Sequence, residues 1–106
     1  MRKVAVVGMA QSGVAVAEFL RGLGDSVRAV DSKPLEELKG VGERLSALGI
    51  EFRRQSNEAL EGVDLVVISP GVPRGIPELE NARRRNVRVI GEVELASGYL
   101  QGRIIG

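Results

Sequence analysis

"VAVVGMAQSGVAVAEFL", residues 4–20, decides the fold. Val4 to Val7 is an unbroken apolar run, the pattern of a parallel strand buried on both faces. Gly8 ends the run. Beyond it Gly13, Val16, Ala17 and Leu20 recur at helical spacing, with Ser12 placed to cap the helix and Gly22 and Gly24 to stop it. A strand handing over to a helix through a glycine turn is the opening unit of a βαβ chain.

The rhythm continues along the chain. Val27 to Val30 predicts a second strand ending in Asp31, and Pro34 keeps that strand from running on. Leu38, Val41, Leu45 and Leu48 mark a second helix, weakened in its first half by Gly40 and Gly42. Ile50 to Arg53 predicts a short strand, and Asn57 can cap a single turn through Leu60. Leu65 to Ile68 is a fourth strand, fully apolar. It runs into "SPGVPRGIP", residues 69–77, whose three prolines and two glycines impose a defined loop. Pro77 suits the first turn of a helix, with Glu78 and Glu80 at its positive end and Arg83, Arg84 and Arg85 at its negative end. Val87 to Ile90 is a fifth strand, and "GEVELASGYL", residues 91–100, leads into a closing helix. The expected architecture is one α/β domain, a Rossmann-like open parallel sheet of about five strands with helices on both faces.

Composition narrows the chemistry. With 106 residues the chain fits one ordinary domain, and 43% hydrophobic with 27% charged residues is the balance of a globular protein. Fifteen Lys and Arg against fourteen Asp and Glu give a net charge of +1, so no global field draws the chain to nucleic acid or an anionic membrane. Aromatic residues are 3%, too few for stacking platforms on single strands. The absence of Cys and His excludes disulfides, thiolate catalysis and the commonest base and metal ligand. No leader pattern opens the sequence and no apolar run approaches the ~20 residues of a membrane helix, so the expected location is cytoplasmic.

In doubly wound sheets ligands lie beyond the carboxyl ends of the strands, which singles out three loops. The first spans Gly8 to Gly13. Gly8 permits the tight turn and Gly13 lets the helix approach the sheet, while the helix start favours an anion. Its spacing imitates G-x-G-x-x-G, but Ala10 occupies the middle position and weakens the case for a dinucleotide. The same glycines would also serve a purely structural turn. The second loop is Asp31, Ser32 and Lys33. Asp31 follows Gly13 by eighteen positions, placed to accept from a ribose hydroxyl or a base N–H, or simply to cap its own turn. The third is Ser69, Pro70 and Gly71, where Ser69 can donate to a phosphate and Gly71 admits close backbone. Ser69 is not read as a nucleophile, because no G-x-S-x-G elbow and no His accompany it. Glu92 and Glu94, alternate residues of an extended segment, would share a face, but nothing supplies a metal or an acid-base partner, so they read as structural.

Taken in order, "GMAQSGVAVAEFL", "VDSK", "DLVVISPGVP" and "VIGEVEL" resemble the N-terminal domain of the UDP-N-acetylmuramoyl-L-alanine:D-glutamate ligases, the MurD branch of the Mur ligase family. The resemblance covers nearly the whole chain. It implies that the domain holds the UDP part of UDP-N-acetylmuramoyl-L-alanine and carries no catalytic residue of its own. By position, the backbone amides of Gln11 and Ser12 would meet the diphosphate, the loop of Asp31, Ser32 and Lys33 would hold uracil and ribose, and Ser69, Pro70 and Gly71 would border the nucleotide. Lys33 departs from the Arg of family members and lacks a flat guanidinium to stack on uracil. Ala10 stands where relatives often have Gly. No G-x-x-x-x-G-K-[ST] loop occurs, and "GRIIG", residues 102–106, resembles the first strand of the family's central ATPase domain. ATP and Mg²⁺ would therefore belong to the missing central and C-terminal domains, and this chain by itself would be inactive. The alternative reading is an NAD(P)-binding regulatory Rossmann domain.

Overall fold

The computed structural model describes residues 2–73 and 75–100. Five parallel strands, β1 (Lys3–Val7), β2 (Ser26–Asp31), β3 (Glu51–Arg54), β4 (Leu65–Ile68) and β5 (Arg88–Gly91), form one sheet in the order β3-β2-β1-β4-β5. The most apolar runs take the central positions, where both faces are covered: Val4 to Val7 and Leu65 to Ile68 are buried throughout. Val7 lies beside Val30 on one flank and Ile68 on the other, so the loops after β1, β2 and β4 leave the sheet side by side.

Among the described residues four helices cover the sheet: α1 (Gln11–Gly22), α2 (Val41–Leu48), α3 (Pro77–Arg84) and α4 (Glu92–Leu100). Alternation along the strands sorts the core into two layers. Val4, Val6, Ala29 and Val67 pack with Ala17 and Leu20 of α1, Leu45 of α2 and Leu95 of α4. Ala5, Val7, Val30 and Val66 pack with Leu79 and Ala82 of α3 and with Ala59 and Leu60 of a short 3₁₀ turn, Glu58–Leu60. Among the described residues no helix is long and apolar enough to cross a membrane.

Several local expectations are corrected. Ser12 is not the cap of α1: Ala10 holds that position in extended backbone, with no side chain capping it, and Ser12 stands inside the first turn. Leu38 lies outside the second helix, which begins only after Gly40; a 3₁₀ turn, Leu35–Glu37, takes up the intervening chain. Asn57 does not cap its turn by its side chain. The Ser56 hydroxyl, one residue earlier, accepts from the Ala59 N–H at 3.1 Å. Glu92 and Glu94 sit in the first turn of α4 instead of alternating along a strand, and Glu94 Oε1 accepts from the Gly91 N–H at 3.0 Å, one half of a capping box. The strand expected within residues 102–106 lies outside the described residues.

The edge strand β3 is the polar one, with Glu51, Arg53 and Arg54 exposed. Hydrogen bonds from Arg53, and then Arg28, hold the Glu51 carboxyl below its ordinary range. Charges on an edge strand also oppose pairing with a second sheet.

Candidate functional site

The turn between β1 and α1 is held by contacts that only glycine allows. Gly8 adopts φ +99°, and a Cβ there would lie 2.9 Å from the Ser69 Cβ. At Gly13 a Cβ would lie 1.8 Å from the Gly8 carbonyl oxygen, inside any van der Waals contact. The first turn of α1 is thereby pressed against the end of β1. Ala10 keeps ordinary extended backbone, φ −69° and ψ 178°, so its methyl group introduces no strain and is exposed on the turn.

The other two loops are tied to this turn. Asp31 uses both carboxylate oxygens: Oδ2 accepts from the Met9 N–H at 2.7 Å and Oδ1 from the Lys33 N–H at 2.9 Å. It caps its own turn, the simpler of the two readings, and also clamps the β1 loop. Each oxygen keeps a further lone pair for an outside donor. Ser69, 4% exposed, donates from Oγ to the Gly8 carbonyl at 3.0 Å. Its proton thus joins the β4 loop to the glycine turn, and a phosphate would have to displace that bond to receive it. Replacing Ser69 with Ala leaves the Gly8 carbonyl without this donor. A loss of about 1 to 2 kcal/mol in unfolding free energy, read from urea titration, is the expected result.

The structure therefore brings Gly8, Gln11, Ser12, Gly13, Asp31, Ser32, Lys33, Ser69, Pro70 and Gly71 to one edge of the sheet. Gln11, Ser12, Ser32, Lys33, Pro70 and Gly71 are exposed there, and no Cβ clash explains glycine at position 71. The first backbone bond of α1 is Val14 N–H to the Ala10 carbonyl at 3.1 Å. The N–H groups of Gln11, Ser12 and Gly13 therefore precede the helical ladder. α1 has no acidic residue in its first turn, whereas α2, α3 and α4 carry Glu43, Glu78 with Glu80, and Glu92 with Glu94. A helix start with open donors and no acidic residue in its own first turn is electrostatically suited to an anion.

Two clefts border this edge. One, of about 410 Å³, runs between Met9, Gln11 and Val14 and the segment containing Leu38, Val41 and Arg44. The other, of about 640 Å³, lies between the chain after β3 and the start of α3. Gln55, in its wall, donates its backbone N–H to the Asp31 carbonyl at 2.9 Å. Sequence reasoning missed Gln55 and Met9 as members of this edge. Met9 contributes a backbone N–H, on which its apolar side chain carries no information. Gln55 could have been flagged only by its place just past a parallel strand.

Comparison with known proteins gives the family of the chain. Residues 2–91 match the family model described as Mur ligase MurD-like, N-terminal domain. A UDP-N-acetylmuramoylalanine--D-glutamate ligase of Solibacter usitatus is 59% identical over 101 residues, 95% of this chain and 22% of that protein. The enzyme of that name from Myxococcus xanthus is 44% identical over 105 residues, 95% of this chain and 23% of its own length. Among solved structures, the UDP-N-acetylmuramate-alanine ligase MurC of Thermotoga maritima aligns with a TM-score of 0.79 at 25% identity, covering 95% of this chain and 23% of that one. The chain thus spans less than a quarter of the length of these relatives. From the start of β1 to the end of β5, this chain belongs to the family of MurD-like Mur ligase N-terminal domains.

Proposed function

We propose that this domain anchors the uridine diphosphate end of UDP-N-acetylmuramoyl-L-alanine for a ligase that adds D-glutamate during peptidoglycan synthesis. The observation that carries this reading is the α1 start: three N–H groups ahead of the helical ladder, no acidic residue in that turn, and Asp31 and Ser69 tying the neighbouring loops to it. Gln11 and Ser12 would donate to the diphosphate through their backbone amides. Asp31 would accept from the nucleoside with its remaining lone pairs, Ser32 and Lys33 would flank uracil and ribose, and Ser69, Pro70 and Gly71 would form the opposite border. The names of the two D-glutamate ligase relatives support the substrate class.

The role is mechanical. Binding energy at the nucleotide end would hold the distant alanine carboxylate in place, which lowers the entropic part of the barrier without any reacting group in this domain. ATP and Mg²⁺ would be held by the central and C-terminal domains of the ligase, and those domains would be this chain's partners. No residue of this chain would touch the reacting atoms.

A calorimetric titration of the 106-residue chain with UDP, UDP-N-acetylmuramoyl-L-alanine and NAD tests the reading. Saturable binding of the two uridine ligands without NAD is the expected result. Binding of NAD alone would replace it with a redox-sensing domain.

A further inference from the structure

We infer that the first turn of α4, with Glu92 and Val93, is the surface on which the ligase's central domain docks, and that this domain brings a cationic side chain to Glu92. The inference rests on the reading above, in which this chain is the anchoring part of a larger ligase. Glu92 Oε2 is buried and has no hydrogen-bond partner, the one such side-chain atom among the described residues. Capping makes no use of it, because Glu94 already serves the helix start by accepting from the Gly91 N–H at 3.0 Å. A carboxylate oxygen buried without a donor opposes folding, and a donor from outside this domain removes that cost. The Glu92 side chain is only partly covered, and the terminal torsion of a carboxylate is soft, so the group can turn to meet a donor at the surface. Beside it Val93 is 76% exposed, well above Phe19 and Leu23, the other exposed large apolar side chains described. An apolar side chain in water next to a carboxylate without a donor is one half of an interface.

The occupant follows from where α4 stands. The family is one of N-terminal domains, and this chain matches 22% and 23% of the length of the two D-glutamate ligase relatives, so more than three quarters of such an enzyme lies outside it. The family match stops at residue 91, immediately before α4. In the ligase the chain would pass from the far end of α4 into the central domain. At 1.5 Å per residue the first turn lies about 12 Å from that end, so a domain tethered there has a high effective concentration at Glu92 and Val93. Glu92 and Glu94 together make this turn acidic, which favours Lys or Arg over a neutral donor. The position also suits the reaction. Gly91 pairs with Ile68 across β5 and β4, so α4 starts near the Ser69 loop, on the sheet edge from which the substrate would cross to the central domain. Glu92 is thus a positioning residue, setting how the two domains meet.

Two preparations test this: the 106-residue chain, and a chimaera in which it replaces the matching domain of the Solibacter usitatus ligase. In the chain alone, Glu92→Met removes the unpaired buried carboxylate and should raise the melting temperature by about 4 °C or more, the lost charge at the helix start being the smaller effect. Val93→Asp should leave it unchanged, and neither variant should alter UDP affinity. In the chimaera both should lower kcat/KM for D-glutamate by about tenfold or more, and Glu92→Lys, which sets like charges against each other, should lower it further. A stabilised domain in a weakened ligase is a combination that a merely structural Glu92 would not produce. Wild-type rates in the chimaeras carrying Glu92→Met and Val93→Asp, or a melting temperature that Glu92→Met leaves unchanged or lowers, overturn the docking surface while the anchoring role stands. A wild-type chimaera that forms no amide bond overturns both.

Discussion

Gly13→Ala is expected to unfold this domain or leave it barely folded. The added methyl group would stand 1.8 Å from the Gly8 carbonyl oxygen, a backbone atom that cannot rotate away. Relief requires α1 to lift from the end of β1, and Ala17 and Leu20, both fully buried, would lose their packing with it. Overpacking a core ordinarily costs about 1 to 3 kcal/mol, and a clash against backbone belongs at or beyond the upper end. At about 4 to 8 °C per kcal/mol for a domain of this size, the melting temperature should fall by about 12 °C or more. Gly22→Ala is the control in the same helix, because nothing lies within 4 Å of a Cβ there. It should leave the melting temperature unchanged or raise it, since alanine is the better helix former by about 1 kcal/mol in a helix interior. Equal melting curves for Gly13→Ala and the wild type would refute the close approach of α1 to β1.

The second large effect is expected at Asp31. Its carboxylate receives the Met9 N–H at 2.7 Å and the Lys33 N–H at 2.9 Å, so Asp31→Ala strips two backbone donors of a charged partner. Hydrogen bonds to a charged group contribute about 1.5 to 3 kcal/mol each, and water can reach this half-buried site, so a combined loss of about 2 to 4 kcal/mol is expected. Binding should suffer more than stability. The Met9 N–H belongs to the turn that would hold the diphosphate, and its release loosens that turn while also removing the acceptor for the nucleoside. UDP affinity should fall by more than about tenfold in a variant that still unfolds cooperatively. Asp31→Asn keeps one carbonyl oxygen and turns an NH₂ group towards the other backbone donor, so it should lie between the two in both measurements. Full UDP affinity in Asp31→Ala would remove this residue from the site.

Much of the fold was legible in the sequence. Among the described residues each of the five strands lies within a residue of its expected place, and the central two were the plainest, because strands buried on both faces must be apolar throughout. Of the boundaries that the structure corrects, Ser12 and Asn57 rest on capping propensity and Leu38 on helical spacing that Gly40 interrupts. A capping side chain contributes only about 1 kcal/mol, and tertiary contact at Gly13 or Ala59 outweighs it. At the site, the glycines and Asp31 were recognisable because a tight turn and a strand-ending carboxylate leave a spacing in the chain. The partners of Ser69 and Gln55 left none: Ser69 bonds to a residue 61 positions away, and the Gln55 side chain to one 23 positions away.

By itself, then, the order of residues determined the βαβ rhythm, the parallel sheet, the family and the three loops that would meet a nucleotide, because each depends on local periodicity or on spacing along one strand-turn-helix unit. What those side chains do was decided only in three dimensions. Whether Asp31 caps a turn or clamps a neighbouring loop, whether Ser69 offers its proton outward or to the Gly8 carbonyl, and whether Gln55 borders a cleft depend on strand order. The β3-β2-β1-β4-β5 arrangement places these residues side by side, and hydrogen bonds act over about 3 Å however far apart their partners stand in sequence.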